Sequence, residues 1–222
     1  MPKPCADTLQ AKLAFLKRPA AYPEATSRVD AIETHMSWVF LTDTHAYKLK
    51  KPVRYDYLDF STIGARRLDS EMEVRLNRRL AEEVYLGVIP LVCDATGAMG
   101  LGGAGETIDW LVRMRRLPAD RMLDHLARNG TVKQTEIVEL ARLLARFYAA
   151  LPAELIAPEA YRQLLAGRIE DNLRTFVSPE FGLPKNPPTA LAQFQLDFLK
   201  RHAGLLDRRV QAGRRPPVLS ST

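Results

Sequence analysis

The side chains best placed to do chemistry are the lysines of the run Ala46-Tyr47-Lys48-Leu49-Lys50-Lys51-Pro52 and a downstream glutamate, Glu73. A strand lysine held by a helix carboxylate presents its ammonium at a fixed point, and such a group suits phosphate oxygens. Side chains alternate along a strand, so Lys48 and Lys50 share one face, while Lys51 stands before Pro52, where the strand is ending. Lys48 lies deeper in the strand and is the candidate phosphate ligand. The same lysines would also suit a solvated sheet edge guarded by charge against pairing.

The partner carboxylate follows from helical phase. At about 100° per residue, Glu73 falls beside a stripe of Leu68, Met72, Leu76 and Leu80, whereas Glu71 projects with Arg75 and Arg78 on the polar side. With that stripe turned to a sheet, Glu73 can approach Lys48; its competing partners are Asn77 and Arg79 on the helix surface. A turn at Thr34-His35-Met36-Ser37 offers backbone amides and two hydroxyls to phosphate oxygens.

Other groups carry less. Gly100-Leu101-Gly102-Gly103-Ala104-Gly105 matches G-x-G-x-x-G in form, but a dinucleotide site needs that run to open a helix, and here it leads into another strand. It reads as a flexible hairpin tip. His35, His45, His125 and His202 show no metal-ligand spacing, and Asp59-Phe60-Ser61 reads as a helix cap. Cys5 and Cys93 are far apart, with no neighbouring Cys or paired His, which indicates neither a disulfide framework nor a zinc site and fits a reduced cytoplasm.

The elements that must position these residues are α+β in class. Arg28 to Thr34, Ser37 to Leu41 and the lysine run form a three-strand meander, with Thr42-Asp43-Thr44 as a turn. Asp59, Ser61 and Thr62 offer caps for a helix running to about Leu80, followed by strands at Val88 to Val92 and Ile108 to Met114. After Leu117-Pro118 the pattern turns helical: Asp120 to Arg128, Thr135 to Leu151 with a stripe of Ile137, Leu140, Leu144 and Phe147, Tyr161 to Phe176, and Leu191 to Val210 beyond a proline-rich connector. Arg214 to Thr222 reads as a tail.

The 222 residues are 46% hydrophobic and 26% charged, the composition of a globular protein able to bury a core. The net charge of +6 is spread in short arginine pairs without interleaved aromatics, which ranks nucleic acid last among partners. Lys3, Lys12, Lys17 and Arg18 interrupt the apolar residues of the N-terminal stretch, leaving no signal peptide or membrane span. The expected location is the cytoplasm.

Several stretches together resemble a known family: Ile32-Glu33-Thr34-His35-Met36-Ser37-Trp38-Val39-Phe40, the lysine run continued to Val53, Leu58-Asp59-Phe60-Ser61-Thr62, Leu76-Asn77-Arg78-Arg79-Leu80, Tyr85-Leu86-Gly87-Val88 and Val112-Arg113-Met114-Arg115-Arg116. Their order and content resemble the bacterial aminoglycoside phosphotransferase-like proteins, which have a protein-kinase-like fold and are often fused upstream of a P-loop kinase domain. The resemblance implies a kinase-like N-lobe over residues 1–116 and a partial helical C-lobe over 117–222. It implies ATP with Mg²⁺ as cofactors, Lys48 on the α- and β-phosphates, Glu73 orienting it, and the backbone around Met114 and Arg115 facing adenine. The second substrate would be a small-molecule hydroxyl acceptor.

The chain departs from the family's pattern after the helix ending near Val210. There the family carries a His-Gly-Asp loop, a downstream Asn and a metal-binding Asp, and this sequence carries Arg215-Pro216-Pro217-Val218. Base and Mg²⁺ ligands are missing, so the expectation is a nucleotide-binding portion, truncated before the catalytic loop and inactive as it stands. No catalytic and no metal residues are assigned. The partial lobe should expose apolar faces and rely on a partner or dissolve poorly. The alternative is a non-catalytic nucleotide- or partner-binding protein.

Overall fold

The structure, a computed structural model, describes residues 8–55, 58–152 and 156–211. Helix α1 (Leu9–Leu16) starts at Thr8, whose hydroxyl accepts from the Ala11 amide, and precedes strands β1 (Asp30–Glu33), β2 (Ser37–Leu41) and β3 (His45–Lys50). A two-stranded hairpin, β4 (Arg54–Tyr55) and β5 (Leu58–Asp59), leads to helix α2 (Ile63–Ala81), capped by the Thr62 hydroxyl on the Ala65 amide at 3.1 Å. Strands β6 (Tyr85–Cys93), β7 (Met99–Leu101) and β8 (Glu106–Arg115) follow. The main sheet is antiparallel with six strands in the order β1-β2-β3-β8-β6-β7. The fold is thus mixed, an antiparallel sheet plus helices.

Alternation along β3 gives the sheet two different faces. Tyr47 and Leu49 enter an apolar core with Phe40, Leu91, Leu111 and the Leu13 and Leu16 side chains of α1, each such burial contributing about 1.5–3 kcal/mol. Lys48 and Lys50 point the other way, to α2. A bulge in β8 between the Leu91–Asp109 and Val92–Thr107 pairs inserts one extra residue, and beside it the buried Asp109 meets Lys12 of α1 and Arg66 of α2.

Helix α2 packs by a face other than the expected one. Its buried residues are Arg66, Ser70 and Val74, while Leu68 is 69% exposed and Leu80 also faces outward. The cause is electrostatic: the sheet presents Asp109, Lys48 and Lys50, so the helix turns its charged stripe inward to meet them. Glu73 is nearly in phase with Arg66 and reaches the sheet with that stripe.

Strand β7 and the β4–β5 hairpin are additions to the expected elements. Cys93 is disulfide-bonded, a departure from the expectation of no disulfide framework; Cys5 lies outside the described residues.

The helices that follow are α3 (Leu123–Arg128), ended at Asn129 and Gly130, α4 (Gln134–Ala150), α5 (Pro158–Phe176), α6 (Asn186–Arg201) and α7 (Ala203–Gln211). The last two replace the single helix expected over Leu191 to Val210: α6 starts earlier, because Pro187 and Pro188 fit its first turn, and stops at His202. The expected tail from Arg214 lies outside the described residues. No described helix is long and apolar enough to cross a membrane.

The chain divides into two compact units, Met1–Ile137 and Val138–Thr222. The sequence had put the boundary at 116/117, directly after β8. In the second unit α5 packs on α6 and α7, with Arg162 of α5 paired to Asp207 of α7. Large apolar side chains remain exposed there, among them Leu191, Phe194 and Leu205.

Candidate functional site

The site is built where β3 faces α2. Strand pairing fixes Lys48 between Val39 and Val112, and Lys50 opposite Ser37, so both ammoniums rise from the middle of the sheet toward the helix. On α2, Asp69 and Glu73 are four residues apart and therefore stacked on one face. Lys48 Nζ donates to Glu73 Oε1 at 2.9 Å, and Lys50 Nζ donates to Glu73 Oε2 at 2.6 Å. Lys50 Nζ also lies 2.7 Å from Asp69 Oδ2. Two cations and two carboxylates thus form a locally neutral cluster.

Burial separates the two lysines. The side chain of Lys50 is 4% exposed and that of Lys48 29%, although Lys48 is the deeper along the strand, as expected, and Lys50 is the last residue of β3. Lys48 is nonetheless the lysine with access to solvent. Burial by itself pushes the Glu73 carboxyl pKa up, but the two ammoniums and their hydrogen bonds outweigh it and hold the group below the ordinary carboxylate range. The phenol of Tyr85 is pushed up by burial and by the nearby Glu73 charge.

The Thr34 to Ser37 turn stands at the Lys50 end of β3, where the Lys51 amide donates to Met36 O at 2.9 Å. Its Thr34 hydroxyl donates to Ser37 O at 2.8 Å and accepts from the Ser37 amide at 3.0 Å, so that hydroxyl closes the turn instead of pointing outward. Ser37 is buried. His35 is exposed and stacks on Tyr55 with ring centroids 5.4 Å apart. Its ring, rather than the two hydroxyls, is what the turn presents.

Met114 and Arg115 sit at the opposite end of β3. Met114 pairs with Ala46 on one side and Tyr85 on the other, and the Arg115 amide donates to Val84 O at 2.8 Å. Their backbone is inside the sheet, and the Arg116 amide is likewise engaged by Thr44 O at 2.9 Å. Lys48 lies between this end and the turn.

Sequence reasoning missed Lys50 as a paired residue and missed Asp69. The signal was present: Lys48 and Lys50 share a strand face, and Asp69 and Glu73 share a helix face, so two matched pairs were written with period two and period four. Among the described residues, no group of three His, Cys, Asp or Glu side chains is placed to hold a metal ion.

No family model matches the chain. It is 34% identical over 120 residues to an uncharacterized protein of Mycobacterium tuberculosis and, at the same identity, to an uncharacterized protein of Mycobacterium bovis. The match covers 54% of this chain and 22% of each relative, so the chain spans less than a quarter of the length of the curated relatives it matches.

Proposed function

We propose that this chain carries the nucleotide-binding part of an ATP-dependent small-molecule phosphotransferase, of the aminoglycoside phosphotransferase-like type with a protein-kinase-like N-lobe. The observation that carries the reading is the 2.9 Å contact from Lys48 on β3 to Glu73 on α2, with Lys48 still partly exposed. An ammonium has three donors, and the contact to Glu73 uses one, so Lys48 can donate to a phosphate oxygen without leaving its carboxylate. The strand order supports the same reading, because a meander, one helix and a returning hairpin put the lysine strand beside the strand that leads out of the lobe.

In this reading Lys48 takes the α- and β-phosphates, Glu73 orients it, the His35 turn covers the phosphates, and adenine lies toward Met114 and the chain beyond it. Mg²⁺ would serve the transfer step by neutralising charge on the phosphates. These 222 residues contain no His-Gly-Asp run, so the role assigned to them is binding, and the hydroxyl acceptor belongs to the activity of a larger protein. Calorimetric titration with ATP tests this: the chain binds ATP, and Lys48→Ala abolishes binding while leaving the circular dichroism spectrum unchanged. Unchanged affinity in Lys48→Ala would reject the reading.

A non-catalytic binding protein would use the same lysine. It is favoured by the neutrality of the Lys48, Lys50, Asp69 and Glu73 cluster, which holds together with no ligand charge to balance. ATP affinity indifferent to Mg²⁺ would select it.

A further inference from the structure

We infer that Lys50 and Asp69 form a brace that positions Glu73 for Lys48, so that Lys50 governs phosphate affinity without touching phosphate; this rests on the nucleotide reading above. Lys50 Nζ is held by two carboxylates at 2.6 and 2.7 Å, and its side chain is almost wholly buried. Its ring of contacts is completed by Phe60, whose face lies 5.2 Å from the ammonium. Two carboxylates and an aromatic face therefore surround this ammonium on the protein side, and little of it is left for a ligand.

Glu73 divides its oxygens between the lysines, Oε1 to Lys48 and Oε2 to Lys50. Fixing one oxygen fixes the plane of the carboxylate and hence the direction from which Lys48 is held. Without the Lys50 ammonium, Glu73 and Asp69 face one another as like charges four residues apart on α2, which turns them away from the sheet. Lys48 would then lose the orientation that presents its remaining donors outward. Lys50 and Asp69 are thus positioning residues, and Lys48 is the phosphate ligand.

The test is calorimetric titration of the full chain with ATP and, as a probe lacking phosphate, adenosine. Lys50→Met is expected to weaken ATP binding by about tenfold and to leave adenosine binding unchanged. Lys50→Arg, whose guanidinium can bridge two carboxylates, is expected to recover affinity to within about threefold. In a Glu73→Gln background Lys50→Met should have little further effect, because its route to phosphate has been removed.

Equal losses from Lys50→Met in both backgrounds would show an independent contact with phosphate and overturn the brace alone. Unchanged ATP affinity in Lys50→Met would likewise overturn the brace alone, with no contact to phosphate implied. Failure of the unsubstituted chain to bind ATP would overturn the nucleotide reading and the brace with it. Should Lys50→Met not fold, Asp69→Asn carries the test: ATP binding weakened by about threefold with adenosine unaffected supports the brace, and no change rejects it.

Discussion

Arg66 of α2 grips Asp109 of β8 through two parallel hydrogen bonds, Nε to Oδ1 at 2.8 Å and Nη2 to Oδ2 at 3.0 Å, with neither side chain more than 5% exposed. Lys12 of α1 donates to the same carboxylate at 2.9 Å and to Ile108 O at 2.8 Å. One buried aspartate thus ties α1 and α2 to the sheet. Removing one partner of such a pair leaves a desolvated charge behind, a cost of about 3–5 kcal/mol. Because Lys12 would still face Asp109, Arg66→Met should fall at the lower end, near 3 kcal/mol, read as a drop in the urea midpoint. A loss below about 1 kcal/mol would mean that water reaches Asp109 in the folded protein.

The packing phase of α2 predicts opposite outcomes for two apolar residues. Leu68 is 69% exposed and Val74 only 6%. Leu68→Gln should change stability by no more than about 0.5 kcal/mol. Val74→Ala, which removes two buried methyl groups against the sheet, should cost about 1–2.5 kcal/mol. Thermal denaturation of both variants checks the pair, and a larger loss at Leu68 would restore the leucine stripe as the packed face.

That contrast also explains what was legible in the sequence. Meander, helix and returning strands were readable because β-formers and turn residues mark them locally, and Thr62 marks the start of α2. The contact of Lys48 with Glu73 was readable from strand alternation and helical phase, although the phase argument placed the wrong stripe on the sheet. Leucines usually mark a buried face; here the charges on the sheet, chiefly Asp109 and the two lysines, select a polar face instead. Asp109 itself was not readable. Its role depends on Lys12 of α1 and Arg66 of α2 both reaching β8, a tertiary arrangement that no local pattern marks. The commitment of the Thr34 hydroxyl to Ser37 likewise depends on the closed geometry of the turn.

The approach to β8 needs a glycine at one position above its neighbours. Gly105 has φ +149°, and a Cβ built there would lie 2.5 Å from Cys93 O, a backbone atom that cannot swing aside. Gly103 has φ +85° with open space around it. Gly105→Ala should therefore destabilise by more than Gly103→Ala, whose cost is the backbone strain of about 1–2 kcal/mol alone. Equal losses in a denaturant titration would show that the β6–β8 ladder shifts readily to make room.

Glu73 makes stability near the site depend on pH in a definite direction. Burial raises its pKa, the charges of Lys50 and Lys48 lower it by more, and the folded value ends below the ordinary one. The unfolded chain then binds a proton more readily than the folded one, so this group's contribution is complete above the ordinary glutamate value of about 4.3 and is lost as pH falls through the lower folded value. Exposed carboxylates such as Asp59 and Asp94 also titrate at low pH, so the comparison must be differential. Glu73→Gln should be less stable than the unsubstituted chain between about pH 5 and 7, with the gap in melting temperature closing as pH drops below about 4. Calorimetric melting across that range measures it. A gap that stays constant to pH 3 would mean that the two lysines do not hold Glu73 in its charged form.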